Sequence, residues 1–302
     1  MENIWQQLSK EISDRIAQAG RSIVAVDSHG RHTSAGIVWN PEFVLTSALA
    51  VPRDNEVGII FESGKVTSAR VAGRAPALGV ALLKLDRKID AIPAEFGATN
   101  TLSIGELVVA IARTRRGNIV ASSGILSGLM GEWQTGPVRI DQFIRPDLTL
   151  YSGFSGGGLI GADGKIIGML SGEFLRGKPI AIPPTTLVRI AEEIATKGHI
   201  ATPYIGLAME PVAIPESLRQ RSGVGEPQGL LVMHVENGGP ADAGGVILGD
   251  ILFNLDGEPF EDFRDFQSVL RRRGVGQEVK AGLIRGGQKI ELKIHIGERP
   301  LR

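Results

Sequence analysis

Apolar residues recur every four positions near the N-terminus, at Ile4, Leu8, Ile12 and Ile16. This spacing places them on one face of an α-helix. We therefore predict an amphipathic helix over residues 1–20. Its apolar face is expected to pack on the body of the protein rather than on another subunit.

After this helix the pattern changes to short apolar runs of β type, separated by turn residues. Many short strands without helices between them are typical of barrels or sandwiches, not of a parallel sheet. The 40 glycines of the chain also fit a fold with many turns. The predicted strands are residues 22–26, 34–38, 43–46, 57–61, 66–71, 80–85, 107–111, 119–123, 140–144, 158–160 and 166–170.

A helix is predicted over residues 187–197, where Leu187, Ile190 and Ile194 share one face and Gly198 follows as a C-terminal cap. Residues 201–203, Ala-Thr-Pro, have the character of a linker.

Beyond the linker the pattern predicts a second, smaller domain. The chain is thus divided into the helix at 1–20, a larger domain at 21–200 and a domain at 201–302. In the last domain, strands are predicted at 230–235, 250–254, 278–284 and 289–296, and helices at 240–244 and 263–273.

Composition excludes several classes of function. The 33 basic and 33 acidic residues balance, so attraction of the whole chain to nucleic acid is not expected. Two arginine clusters, 113–116 and 271–273, are interpreted as solvated charge at a loop and a helix end. The absence of cysteine excludes disulfides and cysteine catalysis. No metal-ligand spacing stands out, and we expect no metal and no cofactor.

Membrane and targeting signals are also missing from the pattern. No apolar run approaches the roughly 20 residues that span a bilayer. The first 20 residues lack the apolar core and cleavage site of a signal peptide. We expect a cytoplasmic protein as the sequence stands, and a periplasmic or extracellular one if a signal peptide has been removed.

The segment with the most specific chemistry is Gly-Phe-Ser-Gly-Gly at residues 153–157. A serine nucleophile of acyl transfer needs a tight, exposed turn with backbone N–H groups directed at the developing oxyanion. Flanking glycines permit the backbone angles of such a turn. Ser155 is therefore the candidate nucleophile, and the N–H groups of Gly153 and Ser155 are the candidate oxyanion hole.

Together with other segments, this loop resembles the HtrA/Deg family, which joins a trypsin-like serine protease to a C-terminal PDZ domain. The resemblance covers roughly residues 20–297 in the order of the family. It implies a mainly β fold: a trypsin-like double β-barrel followed by a PDZ domain, with a short N-terminal helix. The segments that carry it are residues 43–48, 80–85, 104–111, 123–127, 153–159, 181–183 and 204–207.

The resemblance also implies that two catalytic residues have been lost. The family places its histidine directly after the segment 43–48, where this chain has Leu49. It places its aspartate directly before the segment 80–85, where this chain has Gly79. Leucine cannot take the serine proton, and glycine cannot orient an imidazole. We therefore predict a degenerate triad in which Ser155 remains as a small residue of the turn rather than as a working nucleophile.

Other groups do not obviously replace the missing ones. His29 and His32 lie in a predicted turn, His199 lies at the linker, and His234 and His295 belong to the last domain. All five are interpreted as surface or structural histidines, and Asp86 and Asp90 as residues of a solvated loop. Phe154 stands where the family has a small polar residue, and its bulk is expected to reshape or block the oxyanion hole.

The last domain resembles a PDZ domain of the bacterial type, through Gly229–Val232, Gly238–Ala241 and Leu248–Leu252. A PDZ domain binds an extended peptide as an added β-strand and holds its C-terminal carboxylate on backbone N–H groups. The resemblance implies a carboxylate loop and a facing helix. Its predicted residues are Tyr204, Ile205, Gly206 and Leu207 for the loop, and Phe266, Val269 and Leu270 for the helix, where an interpretation as core is the alternative.

The function expected from these residues is that of a catalytically inactive HtrA-like protein that binds peptides or protein C-termini. The alternatives are an active serine endopeptidase that uses Ser155 with a non-standard base, and a structural scaffold with both pockets closed. The resemblance further implies self-association, with a trimer or assembly with active relatives as the expected forms. Trp5 and the N-terminal helix are the expected place for such a contact.

Overall fold

The computed structural model describes residues 3–28, 33–51, 56–88, 92–135, 138–175 and 178–300. The chain forms two compact units, Met1–Ile200 and Ala201–Arg302. Each unit has its own hydrophobic core, and each is described by itself below.

The first unit begins with helix α1, Ile4–Gly20. Asn3 caps its N-terminus: the side chain of Asn3 accepts from the Trp5 N–H, and the Gln6 side chain accepts from the Asn3 N–H. The last turn is anchored, because Ala19 and Gly20 are buried. The first turns are not, because Ile4 and Trp5 are 74% and 73% exposed. The expectation that the whole apolar face packs on the body is therefore wrong for the N-terminal half of this helix.

Six strands then close into the first barrel. The run Ile-Val-Ala-Val of strand β1 has no polar position because both faces of the strand are buried. Val24 and Val26 line the barrel interior, whereas Ile23 joins the larger core shared with the second barrel. Neighbouring strands follow the order β1-β2-β3-β6-β5-β4. The strands are β1 Ile23–Asp27, β2 Ser34–Asn40, β3 Phe43–Ser47, β4 Glu56–Ile60, β5 Val66–Ala75 and β6 Val80–Leu85.

A second closed barrel follows, in the order β11-β14-β13-β12-β7-β8. Strands β9 and β10, which come between β8 and β11 in the sequence, form a separate two-stranded hairpin. The strands are β7 Leu107–Arg113, β8 Ile119–Met130, β9 Trp133–Thr135, β10 Val138–Ile140, β11 Phe143–Asp147, β12 Gly158–Ile160, β13 Ile166–Leu175 and β14 Lys178–Ile182.

Helix α2, Pro184–Lys197, closes the first unit. Leu187, Ile190 and Ile194 are buried in the core, as their spacing predicts. Gly198 ends the helix in the left-handed region, with φ of 79°, where a residue with a side chain is strained.

The second unit is a five-strand path, β16-β17-β18-β20-β21, with short accessory strands. Helix α5 covers it, and Phe266 of this helix joins the core. Its elements are β15 Pro203–Tyr204, β16 Leu207–Ala213, α3 Glu216–Ser222, β17 Gln228–Val235, α4 Pro240–Ala243, β18 Ile251–Leu255, β19 Glu258–Pro259, α5 Phe263–Arg273, β20 Glu278–Arg285, β21 Gln288–His295 and β22 Gly297–Glu298.

The predicted fold class is confirmed: the chain is mainly β, with two six-stranded barrels, a smaller second domain and an N-terminal helix. One predicted strand, at 140–144, is wrong, because β10 ends at Ile140 and β11 begins at Phe143. The break lies at Asp141. Its N–H donates to the hydroxyl of Thr186, which in turn donates to the Asp141 carboxylate, each across 2.9 Å.

Candidate active site and peptide-binding edge

Leu49 lies in a single 3₁₀ turn, Ala48–Ala50, directly after β3. The hydroxyl of Ser47 caps this turn by accepting from the Leu49 N–H across 3.3 Å. Arg74 of β5 holds its other end, donating to the carbonyls of Ala48 and Val51 across 3.4 and 3.0 Å. The backbone is thus fixed at both ends, whereas the Leu49 side chain is 77% exposed. The turn presents an aliphatic group to solvent.

Gly79 lies beside this turn. Its carbonyl accepts from the Ala48 N–H across 2.7 Å, and the next residue, Val80, pairs with Ser47 between β3 and β6. Gly79 has φ of 63° and ψ of 26°, the left-handed conformation that glycine adopts without strain. The structure therefore brings the positions of Leu49 and Gly79 to one place, and neither carries a proton-transferring group.

The serine loop of the second barrel packs against the same end of the first barrel. The Ala35 N–H of β2 donates to the Ser155 carbonyl across 3.1 Å. A Cβ placed on Gly156 would lie 2.3 Å from the Ala35 carbonyl oxygen and 2.8 Å from the Ser47 nitrogen. Only glycine permits this approach. The loop therefore holds Ser155 next to the strand end that leads into Leu49.

The residues before Ser155, which include the candidate oxyanion donor Gly153, form a regular β-turn. The Phe154 N–H donates to the Tyr151 carbonyl across 3.2 Å, and Gly153 in the third position has φ of 94°. These values are those of a type II turn. Within the described part of the chain, the N–H groups of Gly153 and Ser155 have no acceptor, so both remain available to a ligand oxygen.

Phe154 does not block these donors. Its side chain is 2% exposed and belongs to the large hydrophobic core, with its ring centroid 6.0 Å from that of Tyr151. The expectation that its bulk blocks the oxyanion hole is therefore wrong, because the aromatic ring anchors the turn from the interior. That Phe154 reshapes the hole stays a prediction.

Within the described part of the chain, no side chain is hydrogen-bonded to the Ser155 hydroxyl. His199, the one described imidazole of the first unit, lies with Nδ1 3.0 Å from the Lys197 carbonyl at the end of α2. His29 and His32 lie outside the described residues, as does Asp90. Asp86 is paired with Arg70 across 3.5 Å.

Arg113 departs from the interpretation of the first arginine cluster as solvated charge. It ends β7, is 3% exposed, and donates to the carbonyls of Ile23, Gly117 and Gly20 across 2.5 Å each. Burial lowers its pKa, but a guanidinium stays protonated at neutral pH. This arginine is therefore a structural cation that ties the end of α1 to both barrels.

The predicted carboxylate loop of the second unit contains a glycine in the left-handed conformation. Gly206 has φ of 79°, and a Cβ there would lie 3.2 Å from the Tyr204 hydroxyl. The carbonyls of Ile205 and Gly206 accept from Ala241 and Glu236, each across 2.8 Å. The N–H groups of Ile205 and Gly206 have no acceptor in the described part of the chain. Consecutive free N–H groups of this kind suit a carboxylate.

The three predicted residues of helix α5 are buried, and other side chains of this helix reach the surface. Phe266, Val269 and Leu270 are 2–4% exposed and belong to the core of the second unit, which is the alternative that their spacing left open. Half-buried positions on this helix are Gln267, Ser268 and Arg271, and burial lowers the pKa of Arg271. On the facing strand, Leu207 and Met209 are partly buried against the core. Gln267 carries no signal in the sequence that distinguishes it from an ordinary surface residue.

The described residues carry neither a cluster of metal-binding side chains nor a helix able to span a membrane. They contain no group of three or more histidine, aspartate or glutamate side chains that could hold a metal ion. Of the helices in this part of the chain, none combines the length and the apolar character needed to cross a bilayer.

Comparison with known proteins divides the chain in the same way. Residues 34–169 match the family model of the trypsin-like peptidase domain, and residues 203–296 match that of the PDZ domain. A "Serine protease Do-like HtrA" of Lactobacillus helveticus is 27% identical over 268 residues, which are 84% of this chain and 65% of that protein. A "Probable periplasmic serine endoprotease DegP-like" of Halomonas elongata is 27% identical over 274 residues, 88% of this chain and 56% of that protein. The chain thus spans between about half and two thirds of the length of these two relatives.

Solved structures show the same fold. The "HtrA-type protease AlgW with decapeptide" aligns with a TM-score of 0.72 and 23% identity, covering 96% of this chain and 99% of that one. The serine endoprotease from Yersinia pestis aligns with a TM-score of 0.72 and 23% identity, covering 95% and 98%. These likenesses support the fold of the two barrels and that of the smaller domain.

Proposed function

Because the chain is homologous to HtrA/DegP serine proteases and joins a trypsin-like peptidase domain to a PDZ domain, we propose that it is a pseudoprotease. It binds extended peptides or protein C-termini through its PDZ domain and does not cleave them. It acts as a binding or regulatory protein, alone or in assembly with active relatives.

The observation that carries this proposal is the exposed Leu49 side chain. It projects from the turn that borders Gly79 and the serine loop, at the position to which the resemblance assigns the family's histidine. In a serine protease, loss of the base costs about 10⁶-fold in kcat. Leucine offers no lone pair to the Ser155 proton, and Gly79 has no carboxylate to orient an imidazole. Under this proposal neither position supplies the groups that make serine a nucleophile at neutral pH.

The PDZ domain retains what binding requires. Strand β16 lies at the edge of its sheet, where an extended peptide can add as a further strand. The free N–H groups of Ile205 and Gly206 lie at the start of that strand, as expected for capture of a C-terminal carboxylate. The proposed ligand is thus a protein or peptide with a free, extended C-terminus.

Self-association belongs to the same proposal. Ile4 and Trp5 leave an apolar surface on the first turns of α1, and we place the contact with a second copy or with an active relative there. Light scattering of the wild type and of Trp5→Glu tests this point: the variant is expected to have a lower mass, and an unchanged mass would contradict the assignment.

The proposed compartment is the periplasm. A relative named as periplasmic favours the periplasmic over the cytoplasmic of the two expected locations. Cell fractionation with periplasmic and cytoplasmic marker enzymes tests this, and recovery with the cytoplasmic marker would contradict it.

One observation favours the second candidate, an active serine endopeptidase with a base from another source. The N–H groups of Gly153 and Ser155 have no acceptor in the described part of the chain, and an oxyanion hole alone supports weak catalysis. Under this alternative the base would be supplied by a neighbouring subunit, by the substrate, or by His29 or His32, which closely precede Thr33 in the sequence.

A single incubation tests binding and cleavage together. An array of peptides with free C-terminal carboxylates is mixed with the wild-type chain, with Ser155→Ala and with His29→Ala/His32→Ala. Bound peptides are measured by fluorescence polarisation and their masses are then determined. We expect binding that is lost with C-terminal amides, and intact peptides in every sample. Cleavage that disappears in Ser155→Ala would support the second candidate, and its loss in the double histidine variant would identify the base.

A further inference from the structure

The free edge of the PDZ sheet contains a proline. Strand β16 pairs with β17 on one side, and no described strand pairs with it on the other. Pro211 lies in the middle of this strand and is exposed. Proline has no N–H, and within sheets it is tolerated where that group would point away from the partner strand.

The backbone bonds at the two ends of β16 fix which residues face the open edge. The Glu236 N–H donates to the Gly206 carbonyl, and the Ile214 N–H donates to the Pro227 carbonyl, each across 2.8 Å. Residues 206 and 214 therefore face β17. Since the direction of the backbone groups alternates along a strand, the even positions between them face β17 as well, and the odd positions face outward.

A bulge in this pair does not disturb the alternation on β16. Ala208 pairs with His234 and Met209 pairs with Val232, so the extra residue, Met233, belongs to β17. The outward positions are thus Leu207, Met209, Pro211 and Ala213.

These four positions are not equivalent for an added peptide. Leu207 and Met209 each offer an N–H and a carbonyl to it, whereas Pro211 offers only a carbonyl. Its ring also occupies the place of the missing N–H. An antiparallel peptide whose carboxylate is held at Ile205 and Gly206 has its last residue opposite Leu207. Its third residue from the end then lies opposite Met209, and its fifth opposite Pro211.

We propose that Pro211 ends the strand-pairing part of this site, so that the PDZ domain binds about the last four residues of a protein C-terminus and gains nothing from a longer extended segment. The inference rests on the proposed peptide-binding function and adds a limit on the length of the paired ligand, set by one residue of this chain. The partly buried Leu207 and Met209 beside the edge favour apolar side chains in that motif.

A length series tests the proposal. The probes are fluorescein-labelled peptides with free carboxylates, whose last three residues are varied among Val, Ile, Leu, Phe and Tyr. The member that binds the full chain best is then extended towards its N-terminus, one residue at a time, with Thr and Val. For the wild type, the Kd is expected to stop falling at about the fourth residue. For Pro211→Ala, it is expected to fall by a further factor of roughly 3–10 at the fifth, the worth of about one backbone hydrogen bond.

A second variant moves the proline two residues further along the strand. Ala213 is the next outward position, so Pro211→Ala/Ala213→Pro is expected to bind peptides that improve to the sixth residue and no further. Far-UV circular dichroism of both variants confirms that the domain is folded.

Hydrogen exchange on the wild type tests the same point without a substitution. With a long peptide bound, the amides of Leu207 and Met209 are expected to exchange more slowly, and that of Ala213 at an unchanged rate. Protection of Ala213, or a Kd that falls equally with length in wild type and Pro211→Ala, would overturn the proposal. If none of the fluorescein-labelled peptides binds the wild type or either variant, the proposed peptide-binding function is wrong. The length limit set by Pro211 is then wrong with it.

Discussion

The backbone N–H of Ala48 donates to the carbonyl of Gly79 across 2.7 Å. This bond joins the turn that presents Leu49 to the turn in which Gly79 adopts a left-handed conformation. The two positions to which the proposal assigns the lost base and its orienting carboxylate are thus adjacent in the structure.

This backbone predicts that activity can be restored. Gly79 has φ of 63°, a conformation that aspartate tolerates better than most residues with a side chain. Leu49→His/Gly79→Asp is expected to label with a fluorophosphonate roughly 10²-fold faster than the wild type, since a positioned general base contributes 10²–10⁴-fold. The matched control is the same pair with Ser155→Ala, which is expected not to label. Equal labelling of the restored and wild-type chains would show that the site differs from the described geometry.

The close packing of the serine loop predicts that a small substitution at Gly156 lowers the free energy of unfolding by an unusually large amount. Gly156→Ala introduces a Cβ 2.3 Å from the Ala35 carbonyl oxygen at φ of 85°. Gly105→Ala is the control, because Gly105 also has a positive φ, 95°, but no atom within 4 Å of the added Cβ. We expect the control to lose about 1–2 kcal/mol of unfolding free energy through backbone strain, and Gly156→Ala to lose about 2 kcal/mol more. Urea unfolding measures both, and equal losses would argue against the close approach of the barrels.

The PDZ domain contains a buried ion pair whose loss is expected to destabilise it. Asp250 is 1% exposed and accepts two bonds from Arg285, at 2.8 and 2.7 Å. Because the Arg285 side chain is 33% exposed, Asp250→Ala is expected to cost about 2–4 kcal/mol, less than a fully buried pair. Glu258→Ala removes a carboxylate that pairs with Arg272 and Arg273 at the surface and is expected to cost under about 1 kcal/mol. Thermal unfolding that ranks the two variants in the opposite order would contradict this assignment.

A pH dependence is expected from the pair of strands β20 and β21. The hydrogen bond from Lys293 holds the pKa of Glu278 below its usual value, and the same bond raises the pKa of Lys293. The pair therefore stabilises the domain above the ordinary glutamate pKa of about 4.3 and below the ordinary lysine pKa of about 10.4. Its contribution is lost as the pH falls through the lowered pKa of Glu278. We expect the Tm of Glu278→Gln to lie below that of the wild type at neutral pH and to meet it in acid. A Tm difference that persists in acid would point to another cause.

The sequence predicts best where a local pattern decides the structure. Helix α5 has the predicted bounds because Asp262 caps its start with bonds to the N–H groups of Arg264 and Asp265, and Gly274 follows its end. The serine loop is likewise evident from its glycines. In both cases residues that are close together in the sequence determine the local structure.

It predicts poorly where distant contacts decide. The strand expected at 140–144 is broken by bonds between Asp141 and Thr186, 45 residues apart. The buried Arg113 bonds to the carbonyls of Ile23 and Gly20, 90 and 93 residues away. A cluster of arginines is usually solvated, and only the fold shows that one of them crosses into the core. Phe154 is a similar case, since its ring turns inward rather than over the oxyanion loop.

The most direct test of the proposed function is hydrolysis of an unfolded protein. Purified wild-type chain and Ser155→Ala are incubated with β-casein at equal concentrations, with an active HtrA-type protease as the positive control, and new N-termini are counted by mass spectrometry. We predict that the wild type produces no more new termini than Ser155→Ala over the whole incubation. New termini that appear with the wild type and are absent with Ser155→Ala would contradict the conclusion that this chain binds without cutting.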